Sequence, residues 1–172
     1  MFRTGAVGAL AQIGAVLLLA ALAACGGDQW PRFQAQDQAF SIRMPGAPIA
    51  AAETARTPEG DVPLVTFSLR SARGNFMLAH WDIANLSEKR IPQYYQRARG
   101  VVLAKGEFLN ERPQRTAGKD GFEMRARALD GSGYITARLL LVGTRMYFLV
   151  ATTPESSSPD AEKFFESFSL RG

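Results

Sequence analysis

The chain has 172 residues, of which 47% are hydrophobic and 21% charged, a composition typical of a folded protein with one domain-sized core. Its formal charge is +4, and Cys25 is the only cysteine, which excludes an intramolecular disulfide and a thiolate metal cluster. His80 is the only histidine, so zinc would lack the usual three or four protein ligands.

The first 25 residues resemble the export signal of bacterial lipoproteins. Arg3 is followed by an apolar run, residues 13–24, whose 12 residues are too few to cross a bilayer core that takes roughly 20. Leu22-Ala23-Ala24-Cys25 resembles the lipobox, in which small residues precede a thiol that takes a diacylglycerol. The pattern predicts a signal peptide over 1–24, a lipidated cysteine and short tether over 25–37, and a single domain over 38–172.

Lipid on Cys25 would attach the domain to a bacterial membrane on its periplasmic side. One acyl chain anchors a protein only marginally, so we expect further acylation, for instance by palmitate. Gly26 stands where an aspartate would retain the protein in the inner membrane of enterobacteria-like systems, which favours the outer membrane. An ordinary signal peptide and a transmembrane anchor are the alternatives.

The first part of the mature chain predicts three strands. Residues 39–44 form a short apolar strand that ends at Pro45-Gly46, a turn pair. Residues 47–61 have no period and are predicted to be a loop. Residues 63–71 and 75–83 are two strands joined by a short glycine-containing loop.

A helix and three or four strands come next. Ser87 is a candidate N-cap, Pro92 fits the first turn, and an apolar stripe recurs at helical spacing through Val102. The strands are predicted over residues 107–116, 121–129, 133–142 and 145–152. Pro113 suits an edge position for the first of them, because proline cannot donate to a ladder. The last is apolar on both faces, which predicts a central strand.

The chain ends in a second helix that is predicted to begin at Ser158-Pro159. Ala161, Phe164, Phe165 and Phe168 follow at helical spacing and form one apolar stripe, which predicts core packing. The order strand, hairpin, helix, antiparallel meander, helix predicts an α+β fold, in which helices pack on a twisted, mostly antiparallel sheet.

Three segments resemble motifs of PsbP-like domains: residues 40–46 (FSIRMPG), 137–147 (ARLLLVGTRMY) and 164–168 (FFESF). Together they span most of residues 38–170. The resemblance implies a three-layer α/β/α sandwich and carries no active site, since the motifs are structural. Members include photosystem assembly subunits and small envelope lipoproteins, so the resemblance implies a role in binding or assembly.

One pair of residues suggests chemistry. His80 and Asp82 are two residues apart on a predicted strand and therefore share a face. No nucleophile motif and no metal-ligand spacing accompanies them. We predict no catalytic residue, no metal ligand and no cofactor, and interpret His80 as a surface or half-buried residue held by a hydrogen bond.

Charge is concentrated in residues 89–127, which hold ten basic and four acidic residues. Such a segment could form a positive face that contacts anionic lipid head groups or an acidic envelope protein, or it could be an ordinary solvated surface. Nucleic acid is not expected as a partner. The candidate contact residues are Lys89, Arg90, Arg97, Arg99, Arg125 and Arg127.

Two functions therefore compete. The first is a lipid-anchored, non-enzymatic binding or assembly module of the cell envelope, which the export signal and the charge distribution favour. The alternative is a small-ligand-binding or hydrolytic envelope protein with a pocket near His80 and Asp82.

Overall fold

Two antiparallel sheets and two α-helices make up the described part of the computed structural model, residues 30–57, 60–84 and 86–171. The strands are β1 Arg32–Gln34, β2 Phe40–Arg43, β3 Ile49–Thr57, β4 Gly60–Ser71, β5 Gly74–Asp82, β6 Gly106–Thr116, β7 Lys119–Ala128, β8 Tyr134–Val142, β9 Arg145–Thr153 and β10 Ser169–Leu170. A 3-10 turn, Glu88–Arg90, precedes α1, Ile91–Leu103, and α2 is Pro159–Glu166. Among these described residues, no helix has the length and apolar character needed to cross a membrane.

The large sheet has the order β3-β4-β5-β9-β8-β7-β6, and the small sheet has the order β1-β2-β10. In the large sheet Asn75 pairs with Thr152 at one end of β5, and Asp82 pairs with Arg145 at the other. Trp30 lies at the first end, where its ring is 5.2 Å from that of Phe76. We call these the Trp30 end and the Arg145 end.

One face of the large sheet is covered by α2 and the small sheet. Phe164, Phe165 and Phe168 from the C-terminal segment are buried there beside Phe40 of β2 and Phe76 of β5. Each such side chain contributes about 1.5–3 kcal/mol when it is fully buried. The predicted core packing of the second helix is thus confirmed, although Phe168 lies two residues beyond its end at Glu166. The predicted cap is confirmed too, because Ser158 Oγ accepts a hydrogen bond from the Ala161 amide.

The opposite face is covered by α1. Its buried side chains are Tyr94, Ala98 and Val102, which pack with strand residues such as Met124 and Phe148. The helix contacts β6, β7 and β8, the three strands at one side of the sheet. Its 13 residues span about 20 Å. The strands on the other side of the sheet, β3 to β5, extend beyond it.

The structure confirms the predicted positions of two strands in the large sheet. The strand with Pro113, β6, is the last in the large sheet, and its register shifts between Phe108 and Asn110. The strand that is apolar on both faces, β9, is the fourth of seven. Ser87 precedes the 3-10 turn without a side-chain capping bond, and α1 begins one turn later than the capping pattern suggested.

The predicted bounds of one loop and of the N-terminal tether are wrong. Residues 47–61 are not a loop, because most of that segment is β3 and the start of β4, paired in continuous register. The predicted tether over 25–37 is too long, since Trp30 and Ala35 are buried and β1 lies between them. Trp30 joins the core through Phe76, so the folded part of the chain has begun by Trp30.

Candidate functional site

A groove with a cavity of about 490 Å³ opens on the α1 face of the large sheet, at the Trp30 end. Its sheet side includes Met77, Phe148 and Val150, and its helix side includes Val101 and Val102. The groove exists because α1 covers β6 to β8 and leaves β4 and β5 partly open beside it. Its volume falls within the roughly 300–1,000 Å³ that is usual for small-molecule sites.

The mouth of this groove combines exposed apolar side chains with charged ones. Ile49 is 73% exposed and Val101 52% exposed, and both line the cavity. Arg70 and Lys105 contribute two positive charges to the lining, and Asp130 one negative charge. Apolar surface beside a few fixed polar groups is the usual composition of a ligand site.

Asp130 is held in place by its own turn. The amide and the hydroxyl of Ser132 donate hydrogen bonds to Asp130 Oδ1 at 2.9 and 2.6 Å. These bonds are the main reason that the pKa of Asp130 is lowered, and the nearby charge of Arg70 acts in the same direction. The carboxylate therefore stays charged at neutral pH.

This groove could not be predicted from the sequence. Its lining comes from several strands of the large sheet, from connections at the Trp30 end and from α1. It includes side chains as far apart in the chain as Ile49 and Thr152. No local spacing connects such residues. The predicted helical stripe was the one available signal, since it contains Val101 and Val102.

His80 and Asp82, the predicted pair, lie at the Arg145 end, away from the groove. Asp82 accepts two hydrogen bonds from Arg145, from Nε at 2.7 Å and from Nη2 at 2.8 Å. Arg145 Nη1 also donates to Asp37. The hydrogen bond from Arg145 is the main cause that lowers the pKa of Asp82, and the bond to Asp82 in turn raises the pKa of Arg145. Arg145, and not His80, is the hydrogen-bond partner of Asp82.

His80 is a core residue. Its ring lies 5.7 Å from that of Phe40 and 6.1 Å from those of Phe67 and Tyr147, and its Nδ1 is buried without a hydrogen-bond partner in the described structure. Burial lowers the pKa of His80, the charge of Arg145 adds to this, and the nearby carboxylates oppose it. The prediction of a surface or half-buried histidine is therefore wrong, and Nδ1 does not make the predicted hydrogen bond. None of the three cavities described is lined by His80.

The predicted contact residues on α1 bind neighbouring groups of the same chain. Arg97 Nη1 donates a hydrogen bond of 2.6 Å to the carbonyl oxygen of Arg56. Arg99 Nε lies 3.3 Å from Glu111 Oε2, and the guanidinium of Arg99 lies 5.3 Å from the centre of the Phe108 ring. Both arginines therefore help to join α1 to the sheet.

Arg125 and Arg127 lie on the opposite face of the sheet. Arg125 Nη2 donates a hydrogen bond to the carbonyl oxygen of Ser156, in the segment that leads into α2. The guanidinium of Arg127 lies 5.9 Å from the centre of the Tyr134 ring. Lys89 and Arg90 belong to the 3-10 turn that follows β5 at the Arg145 end. Of the two alternatives for the basic segment, the structure does not favour a single positive face, because these residues are divided between the two faces and one end of the large sheet.

A carboxylate and a guanidinium, those of Glu123 and Arg138, are buried between β7, β8 and α2, and the more exposed Arg112 joins them from β6. Glu123 accepts hydrogen bonds from Arg138 Nε at 2.8 Å and from Arg112 Nη2 at 2.7 Å. The guanidinium of Arg138 also lies over the Phe165 ring of α2, 4.6 Å from its centre. Burial raises the pKa of Glu123, but the two arginines together lower it below its usual value. This cluster joins the sheet to α2.

Cys25 lies outside the described residues, so its lipidation stays a prediction. No protein-family model matches the chain, and no curated protein does. Among solved structures, the chain is similar to the solution structure of cyanobacterial PsbP (CyanoP) from Synechocystis sp. PCC 6803. The two share 13% sequence identity with a TM-score of 0.54, over 86% of this chain and 96% of that one. This similarity confirms a PsbP-like, α+β fold, as the three sequence motifs predicted.

Proposed function

We propose that this chain is a lipoprotein of the bacterial cell envelope, and that its PsbP-like domain is a non-enzymatic binding or assembly module. The observation that carries the proposal is the short distance between the lipobox and the fold. Trp30, 4% exposed, lies five residues after Cys25. Since an extended residue spans at most about 3.6 Å, Trp30 would lie within about 18 Å of the lipid.

This distance would orient the domain on the membrane. The Trp30 end would face the bilayer, together with the mouth of the groove and with Arg127, which pairs with Tyr134 at that end of β8. Each basic residue close to an anionic surface contributes about 1 kcal/mol to binding. Lys89 and Arg90, at the Arg145 end, would face away from the bilayer toward an envelope partner.

The interactions of His80 and Asp82 support a non-enzymatic role. Asp82 is held in two hydrogen bonds by Arg145, and His80 is buried among aromatic rings. A general base must reach the proton that it removes, and the burial of His80 argues against that role for its ring. We also propose to class the fold as a three-layer α/β/α sandwich, which the cores on both faces of the large sheet support.

The anchor is tested by expressing the full chain and its Cys25→Ala variant in a bacterial host with labelled palmitate. We expect the parent chain in the membrane fraction, with label and with a mature N-terminus at residue 25. The variant should lose the label and keep residues 1–24. A parent chain that carries no label, or that is cleaved elsewhere, would contradict the proposal.

The orientation is tested by photocrosslinking of the lipidated chain in native envelopes. A photoreactive residue in place of Arg127 should yield adducts with lipid, and one in place of Lys89 should yield a reproducible protein adduct. Because both positions are basic and lie at opposite ends of the sheet, each is the control for the other. Lipid adducts at Lys89 alone would show that the Arg145 end, and not the Trp30 end, faces the bilayer. Lipid at Arg127 with no protein adduct at Lys89 would argue against an assembly role and favour ligand binding.

A further inference from the structure

The groove at the Trp30 end has a shape and composition that suit a long apolar chain. Its sheet side is the apolar surface of Met77, Phe148 and Val150, and its helix side is Val101 and Val102. The exposed Ile49 and Val101 stand at its margin, where contact with water is unfavourable. An unbranched hydrocarbon chain laid against this surface would remove both from water.

The charged side chains of the lining indicate which charge the head group of a ligand should carry. Arg70 and Lys105 are positive and Asp130 is negative, so the lining has a net charge of one positive unit. Neither basic side chain forms an ion pair within the described residues, although Arg70 acts electrostatically on Asp130. A ligand with one negative charge would neutralise this surplus, whereas a dianionic head group would exceed it.

The position of the groove gives it a source of such ligands. Lys105 lies between α1 and β6, and Asp130 lies between β7 and β8, so both belong to connections at the Trp30 end. In the proposed orientation this end faces the bilayer, within about 18 Å of the lipidated cysteine. Free fatty acids partition into bilayers, so the groove would open toward them.

We propose that this groove binds one long-chain fatty acid, with its hydrocarbon chain against Met77, Phe148 and Val150 and its carboxylate beside Lys105 and Arg70. The inference rests on the proposed lipid anchor only for the source of the ligand. Binding itself depends on the groove alone, and can therefore be measured without the anchor.

The test uses the chain from residue 25 onward with Cys25→Ser, which contains every residue of both cores. A dansyl-labelled long-chain fatty acid should gain fluorescence on binding, and palmitate should displace it. Hexadecanol, which has the same chain length and no charge, should displace it about tenfold less well, because it lacks the charge interaction. Palmitate should also raise the melting temperature, since it binds only the folded chain.

Two matched pairs of variants locate the site. Val101→Asp should weaken palmitate binding by about tenfold or more, because it puts a negative charge at the groove mouth. Leu103→Asp places the same charge on the same helix but outside the lining, and should change nothing. Lys105→Glu should weaken palmitate about tenfold and leave hexadecanol unchanged, whereas Lys119→Glu, in the β6–β7 hairpin, should affect neither.

Three outcomes would overturn the inference. They are no binding by the parent chain, equal effects of Val101→Asp and Leu103→Asp, and no effect of Lys105→Glu on palmitate. Melting curves show whether each variant is folded. Should Val101→Asp fail to fold, Ile49→Asp tests the same mouth from an exposed edge strand. Since the chain used carries no lipid, none of these outcomes depends on whether Cys25 is lipidated in cells.

Discussion

The substitution Glu123→Ala tests how the buried ion cluster stabilises the fold. Glu123 is 3% exposed, and the side chain of its partner Arg138 is 11% exposed. Removing the carboxylate would leave the guanidinium of Arg138 buried without a counter-ion. Breaking a buried pair in this way costs about 3–5 kcal/mol. Arg112, whose side chain is 60% exposed, binds the same carboxylate from the solvent side, and Arg112→Ala should cost only about 0–1 kcal/mol.

Urea denaturation at neutral pH measures both variants, with thermal unfolding as a second probe. For a domain of this size, 1 kcal/mol corresponds to a change in melting temperature of about 3–5 °C, so Glu123→Ala should melt about 9–25 °C lower. The double variant Glu123→Leu with Arg138→Met should recover much of the loss, because no charge remains buried. Equal costs for Glu123→Ala and Arg112→Ala would refute the reasoning, since burial would then make no difference.

The cluster also predicts a dependence on pH. The pKa of Glu123 is lowered in the folded chain, so the unfolded chain binds its proton more readily. The stabilisation by Glu123 is therefore fully present above its unfolded pKa of about 4.3, and is lost as the pH falls through the lower folded pKa. The free energy of unfolding of the Glu123→Ala variant should lack this acid-side decrease.

Three further predictions concern other parts of the fold. Because the pKa of His80 is lowered in the folded chain, the unfolded chain gains this proton first as the pH falls, so the free energy of unfolding should decrease from about pH 6.5 downward. The free energy of unfolding of His80→Phe, measured by urea denaturation, should lack this decrease. Gly133→Ala should cost more than about 2 kcal/mol, since its φ is +119° and a Cβ would lie 2.1 Å from the carbonyl oxygen of Thr153. Gly143→Ala, at a φ of +60° with open space around it, should cost about 1 kcal/mol; equal melting temperatures would show that the close contact does not matter. Phe164→Ala removes a fully buried ring and should cost about 3–5 kcal/mol in the same assay.

The elements that could be predicted from the sequence are those under strong burial. Strand β9 is apolar on both faces because it lies at the centre of the sheet, and α2 shows a stripe because one side of it is in the core. The two elements that were missed leave no such pattern. Strand β3 is an edge strand whose described side chains are mostly exposed, so nothing selects for alternation, and β1 has three residues.

The charged residues show a second limit of sequence reasoning. Arg97 and Arg125 belong to one basic segment, yet they lie on opposite sides of the sheet. Arg97 is on α1, which covers one face, whereas Arg125 is on β7 and its side chain points to the other face. Asp82 is two residues from His80, and its hydrogen-bond partner is Arg145, 63 residues away. Spacing along the chain reports which residues share a face, but only strand order determines which of them meet.

The unequal covering of the two faces of the large sheet explains where this fold can bind a ligand. On one face, α2 and the small sheet enclose a core rich in phenylalanine, which stabilises the fold and leaves little room. On the other face, α1 packs on β6, β7 and β8, while β3 lies at the far edge of the sheet and is joined to the helix where Arg97 bonds to the carbonyl oxygen of Arg56. An uncovered apolar sheet surface beside a helix forms a groove, and the connections at the Trp30 end add Lys105 and Asp130 to it. Within the described part of the chain, the groove is thus a consequence of a seven-stranded sheet with a single helix on this face, and a ligand that filled it would gain the burial that a second helix would otherwise provide.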